Sequence, residues 1–263
     1  MKEKRTFVPR QRMALDAFTQ AMLESYGAQG WWPLLGHSGS NPTRTGRLTG
    51  YHPGDFTFPR DDAQRFEICS GAILTQNTAW TNVERALDAL AVRGLLAPQA
   101  ILVASDTVLE TAIRSSGYFR AKAKKLRAFS EFYLRLAGRT PTREALLEVW
   151  GIGPETADSI RLYAYKQTEM VVDAYTVRVL CQHGYCRQRL TYDRAKRYCE
   201  RHLPCSLESY QEFHALMVEH AKRLNGNAER VSNPSRVPAR PGKARPRQGD
   251  WAEAARQTAR PQP

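Results

Sequence analysis

The segment LLEVWGIGPETA, residues 146–157, is the most informative part of this 263-residue chain. Apolar residues at helical spacing lead into a Gly-Ile-Gly turn. Pro154 then suits the first position of a second helix, because the N–H that it lacks is not needed there. Ala157 is small and allows the two helices to pack closely. The segment therefore predicts two helices joined by a tight hairpin.

The hairpin has the properties of a phosphate site. Its glycines leave backbone N–H groups open to a ligand, and the following helix begins with the positive end of its dipole. A Gly-x-Gly turn alone is most often a simple connection, but the full pattern through Thr156-Ala157 is far more specific. We expect it to bind the DNA backbone without reading base sequence, directly or through a monovalent cation on the hairpin carbonyls. The residues expected in this contact are Trp150, Gly151, Ile152, Gly153 and Thr156.

Net charge favours a polyanionic partner. The chain has 39 Lys and Arg against 26 Asp and Glu, a formal charge of +13. Residues 226–263 carry +5 of this charge, which leaves +8 on residues 1–225. The basic character is therefore not confined to the C-terminal segment. Such an excess favours phosphate-rich ligands because each neutralised phosphate releases condensed counterions.

Membrane and secreted classes are not expected. No segment approaches the roughly 20 apolar residues that a membrane helix needs. The N-terminal MKEKRTFVPRQR leads into no apolar signal region. Together with the charge and the hairpin, this favours a cytoplasmic, nucleoid-associated protein that binds double-stranded DNA, and we expect it to be a monomer.

Helical periodicity runs through the chain, and no sustained two-residue alternation indicates a strand. The predicted fold class is all-α. Thr81 with Glu84 predicts a capping box, and Pro141 is expected to open a helix behind Thr140. Residues 226–263 contain six Pro and little apolar content, which predicts a disordered basic tail. Helices are predicted at 8–26, 62–73, from 81, 95–104, 106–114, 120–136, 142–149, 154–166, 175–183, 193–202 and 207–224.

Asp173 follows Gly153 after an interval of 20 residues. Taken alone, an Asp behind two valines is most often a helix N-cap. The interval, however, accommodates one helix that returns the chain to the DNA-facing side of the hairpin. A carboxylate there can stabilise an oxocarbenium-like sugar and orient a water, as cleavage of a glycosidic bond requires.

With the segment GAILTQNT, residues 71–78, the hairpin and Asp173 resemble the helix-hairpin-helix DNA glycosylases of the endonuclease III superfamily. The resemblance covers roughly residues 62–224 with three motifs in the family's order. It implies two helical lobes with the active cleft between them, and a target nucleotide flipped out of the duplex. One lobe is a six-helix barrel over 65–165. The other joins residues 8–64, with a loop-rich insertion at about 34–65, to residues 166–225.

The hairpin helix departs from the strand-cleaving members of that family. Those members carry a lysine there, which attacks the sugar and forms a Schiff base. The matching residue here is Glu155, which has no amine. The resemblance, with this departure, implies hydrolysis without strand cleavage through that residue.

The cysteines depart from the iron–sulfur members, whose quartet has the spacing C-x6-C-x2-C-x5-C well downstream of the catalytic Asp. Here the series Cys181, Cys186, Cys199 and Cys205 begins directly after Asp173 with other intervals. We therefore expect no iron–sulfur cluster and no required cofactor, and zinc is a poor alternative. Reduced thiols are expected, with Cys181 packed in the core.

Aromatic residues resemble those of the cluster-free bacterial 3-methyladenine DNA glycosylase III branch. Alkylated purines carry a positive charge and stack well on electron-rich rings. By this resemblance Gln76 fills the gap left by the flipped base, or else it only caps a helix end. Within the insertion, Arg44, Arg47 and His52 touch DNA or belong to a surface elaboration. The base pocket implied by the resemblance consists of Trp31, Trp32, Pro33, Trp80 and Lys222, with one of the adjacent tryptophans in the core.

These features imply a monofunctional DNA glycosylase of base-excision repair that hydrolyses alkylated purines such as 3-methyladenine, with Asp173 as the catalytic residue. Two alternatives stay open. One is an endonuclease III-like glycosylase and lyase for oxidised pyrimidines. The other is a non-catalytic helix-hairpin-helix protein that binds damaged DNA and would not need Asp173 at its interval.

Overall fold

The computed structural model describes residues 13–42, 49–186 and 190–231, with side chains through residue 224. Regular structure in these ranges is helical, apart from an isolated bridge between Ser40 and Thr49. The all-α prediction is therefore confirmed. A 3₁₀ turn, Arg114–Ser116, precedes α6, and a π-helical segment, Ile160–Ala164, continues α8. The α-helices of the described residues are α1 (Leu15–Tyr26), α2 (Asp62–Leu74), α3 (Trp80–Val92), α4 (Pro98–Val103), α5 (Asp106–Ala112), α6 (Phe119–Leu136), α7 (Arg143–Leu147), α8 (Pro154–Ser159), α9 (Ala174–Gln182), α10 (Tyr192–His202) and α11 (Leu207–Val231).

Two predicted helix starts are wrong. Helix α3 already begins at Trp80, directly after Ala79, so Thr81 lies inside the helix and caps nothing. Pro141 precedes α7, because the hydroxyl of Thr142 accepts a hydrogen bond from the backbone N–H of Ala145 and so sets the start of the helix at Arg143.

Helix α2 is the centre of the molecule. Its nine residues 66–74 are all buried, and it contacts α3, α6, α8 and the π-helical segment. The end of α2 is held by the buried Lys122 of α6, which donates to the carbonyls of Leu74 at 2.8 Å and Ser116 at 2.6 Å. Burial lowers the pKa of Lys122 to about 8. The turn that follows Leu74 is thereby fixed in position.

Helix α8 is held by a buried carboxylate, that of Asp158. Asp158 is fully buried and accepts from Arg143 at 2.6 Å, from Tyr192 at 2.7 Å and from Lys196 at 2.8 Å. These partners lie in or at the ends of α7 and α10. The three donors offset the cost of burying a charge, and they connect α8 to both neighbouring helices.

Elements from the two ends of the chain pack together. Helix α1 contacts α10, and the hydroxyl of Tyr26 lies 2.7 Å from Nδ1 of His220 on α11. Seven α-helices, α2 to α8, occupy the region in which six were expected. The lobe boundaries near 65 and 165 stay a prediction. Contacts divide the chain after Gly226, and the fold described here belongs to the first unit.

The remaining predictions concern the C-terminal segment, the insertion at about 34–65 and the membrane class. Helix α11 continues to Val231, beyond its predicted end. The rest of the predicted basic tail lies outside the described residues, as do Arg44 and Arg47. His52 is buried, with its ring nitrogens on the carbonyls of Asp55 at 2.7 Å and Trp32 at 3.0 Å, so it is not a surface contact for DNA. No helix of the described residues is long and apolar enough to cross a membrane.

Candidate active site

A cavity of about 270 Å³, here called the central cavity, opens between the α2–α3 turn, α8, the start of α9 and α11. It brings together Asp173, Lys222 and three tryptophans that the sequence assigned to one site. Its lining consists of Trp31, Trp32, Thr75, Asn77, Thr78, Ala79, Trp80, Glu155, Ser159, Asp173, Ala174, Tyr175, His214, Val218 and Lys222.

Asp173 is both the N-cap of α9 and a wall of the central cavity. Its Oδ1 accepts from the backbone N–H of Thr176 at 2.7 Å and from the Thr176 hydroxyl at 2.8 Å. Its Oδ2 lies 3.9 Å from Nε2 of His214. The side chain is only 12% exposed. One oxygen thus orients the carboxylate, and the other faces the cavity.

Three indoles form an aromatic wall. The rings of Trp31 and Trp80 are 6.3 Å apart at an interplanar angle of 31°, and both are partly accessible. Trp32 stands edge-on to Trp80 at 5.2 Å and is 4% exposed, so it is the member of the adjacent pair that belongs to the core. Trp31 and Trp80 are therefore the rings that a bound base would reach.

The loop before Trp31 is held by α11. The buried carboxylate of Glu212 accepts from the backbone N–H of Gln29 at 3.0 and 3.2 Å. Gly71 of α2 makes room for the indole of Trp32, because a Cβ there would lie 3.0 Å from Nε1. Pro33 is buried outside the central cavity and faces Gly50, so its assignment to the base pocket is wrong.

Helix α11 presents His214, Val218 and Lys222 to the central cavity, at intervals of four residues that share one helical face. Burial lowers the pKa of Lys222, while the carboxylates of Glu219, Glu84 and Asp173 oppose the shift. Burial also lowers the pKa of His214, and Asp173 opposes it. In both groups burial acts against the charged form, and the nearby carboxylates act in its favour.

Glu155 is a second carboxyl group in the central cavity. It is accessible through the cavity, while the surrounding protein and the charge of Asp173 raise its pKa to about 7. It also lines a neighbouring recess of about 440 Å³, here called the hairpin recess. Glu155 thus stands where the two spaces meet. The lining of the hairpin recess consists of Gln76, Asn77, Gly151, Gly153, Pro154, Glu155, Thr156 and Tyr192.

Gln76 is bound to the hairpin. Its amide donates to the carbonyl of Gly151 at 3.2 Å and to the hydroxyl of Thr156 at 3.0 Å, while Lys125 donates to its Oε1. The structure therefore shows the amide engaged within the protein and not extended toward a duplex. Asn77 is exposed, has φ of 54° and lines both the central cavity and the hairpin recess.

At the hairpin, a ligand would meet backbone groups more than side chains. Ile152 is buried in the core, and Thr156 receives the amide of Gln76. Gly151 has φ of +84°, whereas Gly153 has ordinary extended geometry and open space where a Cβ would stand. Trp150 is 57% exposed and lines neither space. The carbonyl of Gly151, one of those expected to hold a cation, already accepts from Gln76.

The four clustered cysteines do not form one site. Cys181 and Cys186 are joined as a disulfide between α9 and the loop behind it, so the expectation of reduced thiols is wrong for this pair. Cys199 is buried and Cys205 is exposed, both unpaired by disulfide. Within the described ranges, no group of three His, Cys, Asp or Glu side chains could hold a metal ion.

Three of these residues were missed at the sequence level. The spacing His214-x3-Val218-x3-Lys222 is the signal that could have placed His214 beside a predicted pocket residue. At the sequence level, Glu155 was considered only because it replaces the lysine of the strand-cleaving members. Asn77 was included only as the residue next to Gln76 in the segment 71–78. The cavity brings these residues together from the α2–α3 turn, α8 and α11, an arrangement that no local pattern contains.

Comparison with known proteins identifies the family of the chain. Residues 70–205 match the family described as the HhH-GPD superfamily base excision DNA repair protein. A protein of Methanocaldococcus jannaschii that is named as a DNA repair glycosylase is 37% identical over 214 residues, or 77% of this chain and 84% of that protein. Endonuclease III of Thermotoga maritima is 27% identical over 171 residues, or 64% and 78% of the two chains.

Solved structures share the fold. A 3-methyladenine DNA glycosylase of H. pylori, bound to 1,N6-ethenoadenine, has a TM-score of 0.57 at 22% identity and covers 83% of this chain and 99% of its own. A non-covalent endonuclease III–DNA complex has a TM-score of 0.53 at 22% identity, over 58% and 72% of the two chains. The chain belongs to the HhH-GPD superfamily of base excision DNA repair proteins and is a DNA N-glycosylase.

Proposed function

We propose that this glycosylase is monofunctional and, as a monomer on double-stranded DNA, hydrolyses the N-glycosidic bond of alkylated purines. One observation carries the proposal. Asp173, which caps α9 through Oδ1, lines the same cavity as two partly accessible indoles, Trp31 and Trp80. The carboxylate would stabilise positive charge on the sugar, and the rings would stack on a cationic base.

Hydrolysis without strand cleavage is supported by Glu155. It occupies the position of the lyase amine and lines the same cavity as Asp173. A carboxyl group cannot form a Schiff base with the sugar. The name of the H. pylori glycosylase, 22% identical to this chain, supports a purine in the pocket.

On DNA, we assign backbone binding to the N–H groups of the hairpin at Gly151–Gly153 and filling of the duplex to Asn77. The open space beside Gly153 lets a phosphate approach the backbone. Asn77 is exposed next to the central cavity, whereas the amide of Gln76 donates to the Gly151 carbonyl of the hairpin. This assignment replaces the expectation that Gln76 fills the gap.

One observation favours a second candidate, the endonuclease III-like lyase. Lys222 places an amine in the central cavity, and burial lowers its pKa, which increases the neutral, nucleophilic form. A lyase that used Lys222 would cleave the strand after base release despite Glu155.

The test is single-turnover cleavage of a panel of duplexes that carry 3-methyladenine, 1,N6-ethenoadenine, an oxidised pyrimidine or no lesion. Each is scored with and without alkali, and with borohydride to trap a Schiff base. We expect alkylated purines to be released fastest, strand breaks only after alkali, and no trapped complex. Breaks without alkali and a trapped complex, abolished by Lys222→Gln, would establish the lyase. Tight lesion binding with no released base would establish a damage binder.

A further inference from the structure

Asp173 and His214 leave a gap that a single small donor would fill. Oδ2 of Asp173 and Nε2 of His214 are 3.9 Å apart, which is too long for a direct hydrogen bond. Both atoms belong to side chains that line the central cavity, and His214 is 5% exposed. What the gap can hold depends on which ring nitrogen of His214 carries the proton.

The surroundings of Tyr163 determine that tautomer. Its hydroxyl lies 2.8 Å from Nδ1 of His214 and 3.2 Å from the carbonyl oxygen of Gln211. The carbonyl only accepts, and the hydroxyl has one proton to give. Both contacts are hydrogen bonds only if the hydroxyl donates to Gln211 and Nδ1–H of His214 donates to the hydroxyl. Nε2 then carries a lone pair that faces Asp173.

Two acceptors, a carboxylate oxygen and an imidazole lone pair, thus face one point in the cavity. A water molecule at about 2.8 Å from each would donate one proton to Oδ2 and the other to Nε2, with hydrogen bonds of ordinary length. We propose that His214 and Asp173 together hold the attacking water, and that Nε2 of His214 accepts its proton. His214 is then a catalytic residue of this glycosylase.

The step balances as follows for a cationic base. The C1′–N bond breaks, and its electron pair goes to the departing base. The water oxygen forms a bond to C1′, and one water proton moves to Nε2. The imidazolium that results lies beside the carboxylate of Asp173, which stabilises it. Asp173 therefore stays ionised opposite the sugar cation throughout, while the proton is taken by a different group.

The other ionisable groups around His214 have other positions or partners. Lys222 follows two turns later on α11, and Glu155 faces the cavity from α8. Glu212 is engaged with the backbone of Gln29. Burial strongly disfavours ionisation of Tyr163 and raises its pKa. Among these, His214 is the group whose hydrogen bond to Tyr163 leaves Nε2 as an acceptor next to Asp173.

The experiment measures single-turnover base release by His214→Ala, on whichever duplex of the panel the wild type cleaves fastest, so that it does not depend on lesion class. Loss of a general base is expected to slow release by about 10²- to 10⁴-fold, with affinity for the intact duplex unchanged. Free imidazole is expected to restore part of the rate by entering the space left by the ring.

His214→Gln provides a second variant, because the amide fills the site and accepts a hydrogen bond but not a proton. It is expected to be slow and to lose the acidic limb of the pH–rate profile, which in the wild type reports protonation of Nε2. Tyr163→Phe is expected to release the base about tenfold more slowly than wild type, since Nδ1–H of His214 then lacks its acceptor. The proposal is overturned if a folded His214 variant retains a rate within about threefold of wild type. It is also overturned if the slow variants keep the wild-type pH profile and imidazole restores nothing.

Discussion

At the scale of single residues, the carboxylate of Asp173 divides two tasks between its oxygens. Oδ1 caps α9, and Oδ2 faces the central cavity. The sequence left open whether this residue is a cap or a catalytic group, and the geometry supports both assignments at once. The choice of substitution therefore decides which task is removed.

Asp173→Asn is expected to abolish base release while the folded state stays near wild-type stability, because Asn also caps helices well. Affinity for a lesion duplex should be unchanged or higher, since the charge acts mainly in the transition state. Asp173→Ala should lose the cap as well, at about 1 kcal/mol. Single-turnover kinetics and denaturant unfolding separate the two variants. An active Asn variant would contradict the catalytic assignment.

Trp80→Ala is expected to slow release of methylated purines by one to two decades, because loss of stacking on a base costs about 1–3 kcal/mol. Binding of an intact duplex should change little. Tyr118→Ala is the matched control, since that ring is exposed and lines neither the central cavity nor the hairpin recess. Equal losses on lesion and intact duplexes for Trp80→Ala would remove it from the base pocket.

Glu155→Gln tests the raised carboxyl pKa of about 7. An acid whose pKa is higher in the folded than in the unfolded state stabilises the fold when protonated, and this stability is lost as pH rises through about 7. The Gln variant does not ionise, so its Tm relative to wild type should be greater at pH 8 than at pH 4. Melting curves at both pH values measure this. A difference independent of pH would mean that Glu155 ionises as it does in water.

At the scale of elements, the two hairpin glycines have different reasons to be glycine. Gly151 has φ of +84°, and its Cβ would stand 2.5 Å from the side chain of Lys125. Gly153 has neither constraint. The fold itself therefore requires glycine at position 151. At position 153, the proposed approach of a DNA phosphate gives a reason for glycine.

Gly153→Leu is expected to keep the wild-type Tm and to weaken binding to every duplex, whatever its lesion, because the side chain would block approach of the phosphate. Gly151→Ala should instead destabilise the fold by about 1 kcal/mol or more. Thermal melts and affinities for lesion and intact duplexes distinguish the two. A Gly153→Leu variant with intact affinity would show that DNA does not approach there.

Sequence patterns predicted elements better than contacts between elements. The periodicity of α2, α6, α9 and α10 placed each boundary within about one residue, since amphipathic spacing and caps are local properties. The engagement of Gln76 with a hairpin 75 residues away is not local. Neither is the burial of Trp32 in place of Trp31, which follows from the room that Gly71 leaves on α2.

At the scale of the whole molecule, the charge of +13 gives duplex binding a strong dependence on salt. The side chain of Lys125 lies against Gly151 and its amine donates to Gln76, so a phosphate bound at the hairpin would be close to this cation. Lys125→Gln is expected to lower the slope of log affinity against log salt by about 0.9 on an intact duplex. Lys222→Gln is the control, because its amine lies in the central cavity. Equal slopes for all three proteins would exclude a phosphate contact at Lys125.

The buried Asp158 has a consequence for the thermodynamics of docking. Its hydrogen bonds to Arg143, Tyr192 and Lys196 immobilise α8 when the chain folds. The conformational entropy of the hairpin is therefore lost once, during folding, and not again each time DNA arrives. The protein meets the duplex with a rigid template on one side of α8. The deformation needed to extrude a base then falls mainly on the nucleic acid.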